Sequence, residues 1–117
     1  PDVQDDAFFD RHWAKETVRL ARNAVELAYS SEGRKAVFTT LEPGLITPPD
    51  EATYQRWQSE LEMSGGALRV ALHRLRQRFR EALQKQVLET VASTEDLKEE
   101  MRHLRNALSK IQKNEDA

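Results

Sequence analysis

A chain of 117 residues, 38% hydrophobic and 32% charged, has material for one modest core and too little for two independent ones. It contains no cysteine, which excludes a disulfide framework, a thiol nucleophile and cysteine-ligated zinc or iron–sulfur centres. The net charge of -2 hides a segregation: residues 63–80 hold five Arg and no acid, so the other 13 Lys and Arg face all 20 Asp and Glu, or -7. A basic segment on an otherwise acidic chain points to a polyanionic partner, most often nucleic acid.

Apolar runs never exceed three residues, and the opening PDVQDDAFFD has neither the cationic nor the apolar region of a signal peptide. No membrane partner is expected, and the expected compartment is the cytoplasm.

The first predicted element is a long helix from about Asp5 to Ser31. Phe9, Trp13, Thr17, Leu20, Ala24 and Leu27 form one apolar stripe, with Val18, Ala21, Val25 and Ala28 as a second that widens the buried face. SSEG ends it, with Gly33 suited to the left-handed position after a helix. A short helix follows in RKAVFTTLEP, anchored by Val37, Phe38 and Leu41 and stopping before Pro43. PGLITPPD (43–50) carries three of the four prolines and is predicted to be loop, with Asp50 as the next N-cap.

EATYQRWQSELEM (51–63) predicts about three helical turns with Tyr54, Trp57 and Leu61 inward. Ser64 is the N-cap of the next helix, whose pattern Leu68, Leu72, Leu75, Phe79 and Leu83 runs to about Val91. After the break VASTED, a last helix runs from about Glu95 to Lys113 with Leu97, Met101, Leu104, Leu108 and Ile111 inward. No alternating strand pattern and no repeat occurs. The expected fold is therefore all-α: about five helices in a single domain, divided into residues 1–50, 51–91 and 92–117.

Catalytic chemistry finds little support. His12, His73 and His103 lie far apart and outside any HExxH spacing, so no metal is expected. No phosphate-binding or dinucleotide glycine loop occurs, and no serine has nucleophile-elbow surroundings. The acidic DLKEE (96–100) suits the first turn of a helix, where the dipole favours anions. The expectation is no enzyme, no cofactor and no small-molecule substrate.

Residues 51–80 carry the positive evidence. Two helices joined across Glu62, Met63 and Ser64 have the length and punctuation of a helix-turn-helix. On the second, Arg69, His73, Arg76 and Arg80 form a narrow polar stripe beside the apolar one, while Arg74 and Arg78 lie farther round and are expected to meet phosphates. A membrane-surface or calmodulin-target helix would show the same cationic pattern. Here the apolar face is narrow, and the preceding helix supplies Tyr54, Trp57 and Leu61 to cover it.

The run TYQRWQSELEMSGGALRVALHRLRQRFREALQKQV resembles region four of bacterial RNA polymerase sigma factors of the extracytoplasmic-function type. The pattern is matched at Tyr54, Leu61, Met63, Ser64, Gly66, Ala67, Arg69, Arg74, Leu75, Arg76 and Arg78. FDRHWA, EGRKAVFTTLEP, LETVAS and EEMRHLRNAL extend the likeness over nearly the whole chain, toward a subgroup with an extra C-terminal helix.

This resemblance implies a long recognition helix that binds the upstream promoter element of double-stranded DNA, with RNA polymerase core and an anti-sigma-type regulator as protein partners. The implied DNA-facing residues are Ser64, Gly65, Arg69, Val70, His73 and Arg74, with Arg76 and Arg78 on further phosphates. The sequence departs from the pattern at Glu62, Gln58 and Trp57, which replace a turn glycine, a small alanine and an aliphatic residue. Different packing between the two helices is expected. No promoter-melting region is recognised, so the chain reads as the promoter-element half of such a factor, excised or reduced. Two other readings stand beside this one: a helical protein-interaction module in which DNA binding is lost, and a separate helix-turn-helix regulator that dimerises through its last helix.

Overall fold

The computed structural model describes residues 2–89 and 94–116, with side-chain surroundings for 11–89 and 98–109. Five α-helices and one 3-10 turn are found among them, and no strand: α1 (Asp2–Ser31), α2 (Lys35–Leu41), the turn Glu42–Gly44, α3 (Glu51–Leu61), α4 (Gly65–Leu88) and α5 (Thr94–Asp116). The all-α expectation therefore holds. Val91 and the break around it lie outside the described residues, as do the side chains of Phe9, Leu97 and Ile111.

The punctuation read from the sequence operates as local chemistry. Asp50 Oδ1 accepts from the Thr53 N–H at 2.8 Å, and Ser64 Oγ accepts from the Ala67 N–H at 3.1 Å, each satisfying a donor that a helix start leaves unpaired. α1 ends with Gly33 at φ 73°. The Gly33 N–H donates to the Ser30 carbonyl at 3.1 Å and the Arg34 N–H to the Tyr29 carbonyl at 2.7 Å, a Schellman closure.

α3 ends in the same backbone conformation with an unsuitable residue. Glu62 adopts φ 53°, its N–H and that of Met63 both donating to the Gln58 carbonyl. A side chain there crowds its own carbonyl, a penalty of roughly 1–2 kcal/mol for a residue with a Cβ.

The Pro-rich segment is more ordered than a plain loop. Pro43 sits at the start of the 3-10 turn, where its missing N–H leaves no bond unmade. Gly44 is buried, and a Cβ on it would stand 3.1 Å from both Leu72 Cδ1 and Trp57 Cη2. The backbone comes this close because glycine presents nothing.

By contact, the chain falls into two compact units: one of Pro1–Arg22 with Ala82–Ala117, the other of Asn23–Glu81. Both divisions fall inside helices, α1 and α4, and not in the loops between them. In the first unit Ala14, Val87, Leu104 and Ala107 form the core, flanked by Trp13, Leu83, Met101 and Leu108. Met101, Leu104, Ala107 and Leu108 of α5 are thus engaged with α1 and the end of α4. In the second unit Tyr29, Phe38, Leu41, Leu68, Leu72 and Leu75 are fully buried. Each such side chain contributes roughly 1.5–3 kcal/mol on leaving water.

α1 buries the second of its two expected stripes more fully than the first. Ala14, Thr17, Ala21, Val25 and Tyr29 are inside, while Leu20 is 39% and Leu27 69% exposed and Ala24 is exposed. Thr17 is accommodated inside because its Oγ1 donates to the Trp13 carbonyl at 2.7 Å.

Candidate nucleic-acid interface

α4 presents its functional candidates because four of its residues, Leu68, Leu72, Leu75 and Phe79, are buried along one side. At about 100° per residue the opposite ridge is Gly66, Val70, His73 and Gln77, and all four are exposed. Arg69 and Arg80 flank that ridge on one side and Arg74 on the other, all exposed and none in an ion pair among the described residues. Val70 is 49% exposed, an apolar side chain on a polar ridge.

The start of α4 explains its two glycines differently. Gly66 is exposed, with nothing within 4 Å of where a Cβ would stand. Gly65 is half-buried, and its Cβ position lies 3.5 Å from Gln58 Nε2. Gly65, which the resemblance implies as DNA-facing, thus has the amide of Gln58, bulkier than an alanine, over its Cβ position. Ser64 is at the turn with its hydroxyl engaged as the cap.

Two of the expected phosphate ligands are engaged by neighbours within the chain. Arg76 is half-buried, and its Nε and Nη2 donate to the Gly44 carbonyl at 3.0 and 2.8 Å. Arg78 donates from Nη1 and Nη2 to the two carboxylate oxygens of Glu32, both at 2.7 Å, and its guanidinium lies 4.7 Å from the Tyr29 ring centroid. The Arg78 hydrogen bonds hold the Glu32 carboxyl below the usual range, and Glu32 in turn raises Arg78. Whether each of these two arginines meets solvent or a neighbour depends on residues 32 and 46 positions away.

On the Arg74 side of α4 a cleft of about 370 Å³ is lined by Tyr29, Arg34, Arg74, Gln77, Arg78 and Glu81. The guanidinium of Arg34 lies 5.5 Å from the centroid of the Tyr29 ring, so the tyrosine is approached by two arginines. Neither Tyr29 nor Arg34 stands out in the sequence, where the only local signal was the helix stop beside them. Among the described residues no group of acids and histidines could hold a metal ion, and no helix is long and apolar enough to cross a membrane.

Compared with known proteins, the chain matches no family model, no curated protein and no solved structure. What the fold defines is a helical protein with an arginine-flanked, solvent-facing helix.

Proposed function

We propose that residues 51–88 act as a helix-turn-helix that binds duplex DNA, and that the chain is a transcription-initiation module of the sigma region-four kind, recognising an upstream promoter element and recruiting RNA polymerase core. The observation that carries this reading is the outward side of α4. An exposed ridge of Gly66, Val70, His73 and Gln77 has arginines on both flanks, Arg69 and Arg80 against Arg74. A helix lying in the major groove meets base edges along its ridge and a phosphate wall on either side, so cations belong on both flanks and small or hydrogen-bonding groups between them. A one-sided basic stripe would fit a flat anionic surface equally well.

The open N-terminus of α4 adds to this. With no side chain on Gly66, the first-turn N–H groups can approach a phosphate directly. Base preference then falls to Arg69, Val70, His73 and Arg74. The test is titration of the full chain with promoter-type and random duplexes over a series of salt concentrations. Salt-dependent binding with a preference for the promoter type is expected; no binding to either duplex removes the reading.

A protein-interaction role without DNA is favoured by one observation, the exposure of Leu27 at 69% beside exposed Ala24 on α1. Retention of a polymerase subunit by a protein that shows no duplex binding would select it. A dimer seam on α5 is not proposed, because Leu104 and Ala107 are buried within their own unit.

A further inference from the structure

We infer that the cleft lined by Tyr29, Arg34, Arg74 and Gln77 holds one phosphate of the duplex backbone, with Arg34 as a phosphate ligand outside the helix-turn-helix; this rests on the DNA-binding reading above. Arg34 is placed by the chain's own geometry. Its N–H closes the end of α1 on the Tyr29 carbonyl at 2.7 Å, and its guanidinium lies over the ring of that same residue. In a Schellman closure these two positions ordinarily meet through an apolar contact, and here the contact delivers a cation to the cleft.

The charges in the cleft are unequal in what they can bind. Arg78 is matched by Glu32 in a two-pronged ion pair and serves as a wall. Arg34 and Arg74 have no ion-pair partner among the described residues. Glu81 is exposed at the same cleft and opposes one of them. Three guanidinium groups therefore face two carboxylates, leaving a single positive charge, suited to one phosphate diester and too small for a run of acidic side chains. Planar guanidinium forks match phosphate oxygens in geometry as well as charge.

Position selects the duplex over an acidic peptide. Arg74, Gln77 and Glu81 line the cleft from the flank of α4 opposite Arg69 and Arg80, and Gln77 belongs also to the outward ridge. A groove that receives the ridge brings its second phosphate strand to this flank.

The experiment is binding of the full chain to a labelled random-sequence duplex at several salt concentrations, with Arg34→Gln, Arg34→Lys and, as a control for lost charge, Lys98→Gln at an exposed position of α5. Arg34→Gln is expected to lower the slope of log K against log salt by about 0.9, one phosphate's worth, while Arg34→Lys and Lys98→Gln keep the parent slope. Thermal melts of each variant fix a temperature at which all are folded, so lost stacking on Tyr29 is not mistaken for lost binding. A parent that binds with salt dependence and an Arg34→Gln variant with the same slope would overturn the inference alone. A parent without salt-dependent binding overturns the DNA reading with it. Parent binding to polyglutamate that Arg34→Gln abolishes, with duplex binding unaffected, would assign the cleft to an acidic peptide and overturn the proposal.

Discussion

Arg76 reaches across 32 residues to place both of its forked N–H groups on one oxygen, the carbonyl of Gly44. The longest basic helix of the chain is thereby pinned to the Pro-rich segment, at the point where Gly44 sits against Trp57 and Leu72. Removing the fork leaves a buried carbonyl without its charged donor. Arg76→Ala is expected to destabilise the protein by about 1–3 kcal/mol in urea unfolding, with Arg76→Lys intermediate. Its duplex binding below the transition should keep the parent salt slope, because Arg76 is not available to a phosphate. Gly44→Ala attacks the same joint from the other side, and overpacking against Leu72 and Trp57 should cost about 1–3 kcal/mol.

Glu62 closes α3 at φ 53°, a conformation that Gly33 adopts freely at the end of α1. Glu62→Gly removes the Cβ crowding but adds flexibility to the unfolded chain, and the difference should leave the variant more stable by about 0.5–1 kcal/mol. A rise in urea midpoint at unchanged m-value would establish it. A fall would mean that the glutamate makes a contribution which its backbone geometry conceals.

The Glu32–Arg78 pair gives acid sensitivity a definite sign. Arg78 depresses the Glu32 carboxyl in the folded state, so the unfolded chain takes up the proton first as the pH drops. The stabilisation is fully present above the unfolded glutamate value of about 4.3 and is lost as the pH falls through the lower folded value. Melting temperature followed from pH 7 downward should therefore decline less steeply below about pH 4.3 in Glu32→Gln than in the parent. Identical acid limbs for the two proteins would show that the pair carries no linkage.

Gly66→Ala separates folding from recognition. Its Cβ enters open space at the start of α4, so the helix should gain up to about 1 kcal/mol. If the helix start approaches a phosphate, the same methyl group should weaken duplex binding. Greater stability with undiminished affinity would exclude that approach.

Arg69 and Arg74 stand on opposite flanks of the outward ridge, and their alanine variants report on different strands of the groove. Loss of about 1–3 kcal/mol confined to the promoter-type duplex identifies a base reader, and a uniform loss with a shallower salt slope identifies a phosphate ligand. Two variants that bind both duplexes as the parent does would remove α4 from recognition.

The helices themselves were legible because their signals are local. Asp50 and Ser64 lie three residues from the N–H groups they cap, Gly33 marks a stop that only a residue without a Cβ adopts cheaply, and Leu68, Leu72 and Leu75 recur at the helical period. The arginines of the candidate site, Arg69 and Arg74, lie off the buried stripe by that same period, but so do Arg76 and Arg78, which the fold engages.

That α1 would leave Leu20 and Leu27 outside its buried face was beyond local pattern, because they satisfy the spacing as well as Ala21 and Val25 do. The tertiary structure buried Ala14, Ala21, Val25 and Tyr29, a choice that has no expression in a single helix. It likewise took Arg76 and Arg78 out of the set of free cations, and it brought Arg34 and Tyr29 to Arg74, through contacts between residues dozens of positions apart. Sequence by itself determined where this chain turns helical and which segment is cationic. Only the fold decided which of those charges remain open to a partner, because a charge is compensated by what lies near it in space.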